Sequence, residues 1–170
     1  MTECNKKLVC PIETVAPLLP HSGRMVLLDR ITAYGDDFLE AEAEIRPDHI
    51  LLEQGVLPCL SGAEIMAQGI AALAGCRAVN AGEPVRLGFL LGSRKLNVFA
   101  DVLPVGSRLK IEVRASTQDG SGFGVFDCRL LCVSVPPSWT GRLPPDGVVL
   151  AAALNVYSPK ADSDGLSGRQ

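Results

Sequence analysis

The sequence is short of several things, and each shortage excludes a class of function. It has only two histidines, and its six cysteines (Cys4, Cys10, Cys59, Cys76, Cys128 and Cys132) include no Cys-x-x-Cys pair. No framework of zinc ligands is therefore present. It lacks an excess of positive charge: 16 Lys and Arg stand against 19 Asp and Glu, for a net charge of −3. That is the wrong sign for holding a phosphate backbone, so nucleic acid is not an expected partner. No apolar run approaches the ~18–20 residues of a membrane helix, so no membrane span is expected. The opening Met1-Thr2-Glu3-Cys4-Asn5-Lys6-Lys7 leads into no hydrophobic stretch of signal length, and a cytoplasmic protein is expected. In a reducing compartment the cysteines are expected to be free thiols packed as small hydrophobes.

What is there is a chain of 170 residues, 47% apolar and 21% charged. That is one domain, long enough to bury a core without staples. Residues 1–10 are polar and unpatterned and are expected to be flexible, 11–157 to form the domain, and 158–170 to be a disordered tail. Pro11 can open a short helix to about Leu18, which Pro17 and Pro20 stop. A strand is expected over 25–34. From Phe38 to Arg46, Phe38, Glu40, Glu42 and Glu44 alternate with Leu39, Ala41, Ala43 and Ile45, the pattern of a half-buried strand. Residues 47–58 read as irregular. Residues 61–77 read as one long helix, with almost no charge between Glu64 and Arg77. Such a helix must be covered by protein on most sides. Strands are expected over about 85–100, 108–117, 122–135 and 148–157, with a Pro/Gly-rich connection at 136–147. Two strands, one buried helix and four more strands fit an α+β architecture: an antiparallel sheet wrapped around one long central helix, with room for a partner subunit on the open side.

Candidate chemistry gathers at the helix start. Ser61-Gly62-Ala63-Glu64 has the spacing of a capping box, which would tie the Glu64 carboxylate to a backbone amide. The alternative use of Glu64 is proton exchange: entry into an apolar core raises its pKa, while the helix dipole lowers it. His49, 15 residues earlier, can fold back toward Glu64, and a histidine–carboxyl pair suits removal of one proton and delivery of another. His21 has no acidic neighbour close in sequence and is expected to order the loop before the first strand.

Three segments carry a resemblance. Leu19-Pro20-His21-Ser22-Gly23-Arg24-Met25-Val26-Leu27-Leu28-Asp29-Arg30 resembles the opening of the 3-hydroxyacyl-(acyl carrier protein) dehydratases. Gly62-Ala63-Glu64-Ile65-Met66-Ala67-Gln68 resembles their central helix, with its Glu-x-x-Ala-Gln core. Phe89-Leu90-Leu91-Gly92-Ser93-Arg94-Lys95, followed by 103–113, completes the order. The match runs over roughly 12–135 and is most similar to the diverged branch found in aryl polyene and related lipid or polyketide-type clusters.

The resemblance implies a hot-dog fold and dehydration of a 3-hydroxyacyl thioester on an acyl carrier protein, with no metal or organic cofactor. It implies His49 as base and Glu64 as acid. Helix N-terminal amides at Cys59 and Gly62 would hold the thioester carbonyl, and Gln68, one turn after Glu64, would support the pair. Cys59 stands where the family carries a glycine, and neither glycine beside the family histidine is present at His49. Phe89, Leu90 and Leu91 are candidates for the acyl tunnel or the core. Arg94, Lys95, Arg108, Lys110 and Arg114 could meet an acidic carrier protein or be solvated strand residues. A homodimer, or a heterodimer with a second hot-dog protein, is implied. Two alternatives stand beside the dehydratase: a non-catalytic hot-dog partner that stabilises an active subunit, and an acyl-CoA thioesterase.

Overall fold

The computed structural model describes residues 7–160. Strands β1 (Arg30–Tyr34) and β2 (Phe38–Glu44) form the first hairpin. A three-residue strand β3 (Val56–Pro58) leads through a 3-10 turn (Cys59–Ser61) into helix α1 (Gly62–Asn80). Then come β4 (Phe89–Val98), β5 (Val102–Pro104), β6 (Arg108–Gln118), β7 (Phe123–Ser134) and β8 (Val148–Tyr157). Six strands form one antiparallel sheet in the order β1-β2-β6-β7-β8-β4, and β3 pairs with β5 in a separate two-stranded sheet. The large sheet curls around α1, as the sequence pattern leads one to expect.

The alternation along β2 does what its period demands. Leu39, Ala41 and Ala43 are buried, and Glu40, Glu42 and Glu44 face outward. On the other side of the layer α1 buries Ile65, Met66, Ile70, Ala72, Leu73 and Cys76. Small residues let helix and sheet come close: a Cβ on Gly69 would lie 2.9 Å from a Val113 methyl, and one on Gly75 would lie 2.0 Å from the Leu18 carbonyl oxygen. By length and composition the segment Cys59–Asn80 could cross a membrane, which corrects the expectation that no run is long and apolar enough. Most of it is buried against this protein's own sheet, as befits a core helix.

Several boundaries differ from expectation. The short helix before Pro20 is a single 3-10 turn, Ala16–Leu18, and Gly23–Met25 is another where the pattern predicts the start of a strand. The segment 47–58 is not wholly irregular, because it contributes β3. Part of the expected flexible N-terminus is strapped down. The Leu8 amide donates to Asn80 Oδ1 at 2.8 Å, and its carbonyl accepts the Tyr34 hydroxyl at 2.6 Å. The expected tail over 158–170 lies outside the described residues from 161 onward. Cys59, Cys76, Cys128 and Cys132 are buried free thiols and Cys10 is half-buried, while Cys4 lies outside the described residues. Burial pushes the Cys59 thiol up to about 11 and those of Cys76 and Cys128 to about 12.

Candidate active site

The carboxylate on the first turn of α1 is not spent on capping. Ser61 has helical backbone angles and makes no side-chain cap bond. The 3-10 turn feeds straight into the α-helix, so the Gly62 amide is satisfied by the carbonyls of Cys59 and Leu60. The capping-box expectation is therefore corrected, and Glu64 is left half-exposed at the mouth of a cavity.

The histidine that reaches Glu64 is His21, not His49. His21 Nε2 lies 3.6 Å from Glu64 Oε1, across 43 residues of sequence. Gln68 explains how. Its side chain is fully buried; its Oε1 accepts the Leu27 amide at 2.8 Å, and its Nε2 donates to the Met25 carbonyl at 2.6 Å. Two hydrogen bonds from one helix residue thus fasten the 20–28 segment along α1, and His21 rides on that segment. Gln68 sits one turn from Glu64, as expected for a supporting residue, and what it supports is the His21 loop.

His49 is placed elsewhere. It sits in the turn after Arg46, its Nδ1 accepts the Leu51 amide at 3.2 Å, and Asp29, Asp48 and Arg46 are its charged neighbours. Burial lowers its pKa, with the aspartates opposing. It does not line the cavity. Within this chain, then, the residue brought beside Glu64 is His21 rather than the expected base His49. The loop length allowed either closure, and the Gln68 bonds favour the other histidine.

Cys59 and Gly62 do not present free amides. The Cys59 amide donates to the Asp101 carbonyl at 2.9 Å, its side chain is fully buried, and burial holds the thiol protonated. Gly62 is a packing position: a Cβ there would meet a Leu130 methyl at 2.4 Å. The basic cluster is partly committed as well. Lys110 lies between Glu40 and Glu112 at 3.2 and 3.1 Å, and Arg114 pairs with Asp37 at 3.6 Å while lying over the Phe38 ring.

The cavity encloses about 530 Å³. His21 and Glu64 stand at one end. A strip of α1 that includes Ala67, Ala71 and Ala74 forms one wall, and Phe89, Phe123 and Phe126 stand among the residues opposite. An acid–base pair at the head of an apolar slot can hold a chain and move protons at its polar end.

Sheet, central helix and slot together define a hot-dog protein. A family model described as ApeP-like, ApeP dehydratase, matches residues 13–167, and the chain belongs to that family of dehydratases. Among solved structures it is similar to the dehydratase heterocomplex ApeI:P from Xenorhabdus doucetiae, with 28% identity over 90% of this chain and 93% of that chain, and a TM-score of 0.74. A thioesterase from Haemophilus influenzae (15% identity, 79% and 80% covered, TM-score 0.52) shares the fold. So does the E. coli PaaI protein from the phenylacetic acid degradation operon (9% identity, 75% and 80% covered, TM-score 0.53). No curated protein matches the chain.

Proposed function

We propose that this cytoplasmic protein dehydrates a 3-hydroxyacyl thioester carried on acyl carrier protein to the trans-2-enoyl thioester, in fatty-acid or polyene-type lipid biosynthesis. The observation that carries this reading is the His21–Glu64 pair, 3.6 Å apart at the head of the apolar slot. Membership of a dehydratase family supports it. In the reaction neutral His21 takes the proton on C2 of the acyl group. The electron pair forms the C2–C3 double bond, and the C3–O bond breaks. Protonated Glu64 gives its proton to the departing hydroxyl, which leaves as water. His21 then holds the proton taken from C2, Glu64 is left as a carboxylate, and transfer of that proton from His21 to Glu64 resets the site.

A second hot-dog subunit is part of the proposal. The similar Xenorhabdus doucetiae structure is that of a heterocomplex. Strand β4 here is an edge with no strand beyond it among the described residues, carrying exposed Phe89, Leu91 and Val98, and Ala74, on the slot's helix wall, is also exposed. A partner seated along β4 would cover both.

The test follows the mass of a 3-hydroxyacyl group on carrier protein, with the chain alone and with a hot-dog partner. Loss of one water is expected, and Glu64→Gln and His21→Ala should each slow it by roughly 10²–10⁴-fold, while His49→Ala should retain it. Collapse in His49→Ala with His21→Ala still active would return the base to His49, reaching a neighbouring subunit's site. The engaged Cys59 amide favours a second reading, because the donor that would hold a thioester carbonyl is already bonded to Asp101. In that reading the chain is a non-catalytic partner. Water loss that needs the partner and survives Glu64→Gln would establish it.

A further inference from the structure

The slot changes character along its length. Behind Glu64 its helix wall is Ala67, Ile70, Ala71 and Ala74, and three of the chain's five phenylalanines also line it. From Glu64 to Ala74 this apolar stretch runs ~15 Å at the helix rise of about 1.5 Å per residue. The next wall residue is Arg77, which interrupts the strip with a charge before Ala78 and Ala81 continue the lining. Its guanidinium donates to the Asp36 carbonyl and, at 3.3 Å, to Gln118 Oε1. Both are neutral acceptors, so the charge remains uncancelled by them, and together they anchor the head group across the β1–β2 turn and the end of β6. An apolar chain end arriving there would strip water from a cation and return nothing to it.

We propose that Arg77 sets the longest acyl chain the slot accepts, by interrupting its apolar stretch with an anchored charge. The inference rests on reading the slot as an acyl site, and it names the residue that decides specificity there. A chain that stops at Ala74 keeps every methylene on the apolar stretch. A longer one must bend away or push its end against the guanidinium.

The test separates binding from chemistry. Saturated acyl thioesters of N-acetylcysteamine lack the 3-hydroxyl and cannot be dehydrated. Titrated by calorimetry into the full-length chain in a series of increasing length, they should gain roughly fourfold in affinity per buried methylene and then stop gaining at a defined length. Arg77→Met should move that break to longer chains, Arg77→Lys should keep it, and Ala74→Leu, which fills the slot one turn earlier, should shorten it. An unchanged break in Arg77→Met, or no break in the wild type, overturns the proposal. If the break moves as expected but no 3-hydroxyacyl group loses water, the dehydratase reading fails and the length limit stands. If no thioester binds, either to the chain alone or to the chain with a hot-dog partner added, both fail.

Discussion

The two edges of the six-stranded sheet are built in opposite ways. At one edge β1 is five residues long, has a register shift between Ile31 and Ala33, and is covered by a bridge from Ile12, whose amide and carbonyl both bond Ile31 at 2.8 and 3.0 Å. Arg30 lies between Glu42 at 2.7 Å and Glu13 at 3.7 Å. Short length and a covering segment are among the usual ways of closing an edge to further pairing, and β4 has neither among the described residues. At the other edge β4 is ten residues long and, although its register against β8 shifts twice and it carries Arg94 and Lys95, apolar side chains make up much of its exposed length. Its partner on one side is β8, and on the other side, among the described residues, there is none. One edge ends the sheet, and the other leaves it to be continued.

The contrast can be broken most directly at β4. Replacing Leu91 and Val98 with lysine should weaken association with a second subunit by roughly 100-fold or more, since cations would be buried without partners. Sedimentation velocity reads this, and equal association of variant and wild type would remove β4 from the interface. Next in size is the closed edge. Ile31 is fully buried, so Ile31→Ala should cost about 2–5 kcal/mol in a urea unfolding series. Leu96→Ala on the exposed strand should cost the isolated chain at most about 0.5 kcal/mol. Equal costs would mean that the edges do not differ in burial. Smallest is Arg30→Ala. Its partners are solvent-accessible, so the loss should be slight and should shrink further in high salt.

Much of the fold was legible because period and packing agree. The Glu40, Glu42 and Glu44 row declares its own solvent face, and the uncharged run from Ile65 to Cys76 can only be a covered helix. The missing pieces were short or long-range. Strands β3 and β5 have three residues each, too few to show a period. The capping-box spacing at Ser61–Glu64 gives way to a 3-10 turn whose carbonyls satisfy the Gly62 amide. At the site, Glu64 and Gln68 could be found from the helix motif. His21 could not be paired with Glu64 by spacing, because the closure depends on a buried glutamine binding two backbone groups more than 40 residues away. The one available signal was that His21 belongs to the first of the three resembling segments.

The buried thiols carry a consequence of a different kind. With their protons held up to about 11 or 12, Cys59, Cys76 and Cys128 contain almost no thiolate at neutral pH, and an alkylating reagent acts on thiolate. The native chain should therefore be silent to such a reagent at these three places until it opens locally. Cys76 lies on the central helix and Cys128 on a central strand, so labelling rates read peptide by peptide would time the opening of each layer separately. The molecule thus holds its own clock for unfolding, with no probe to be introduced.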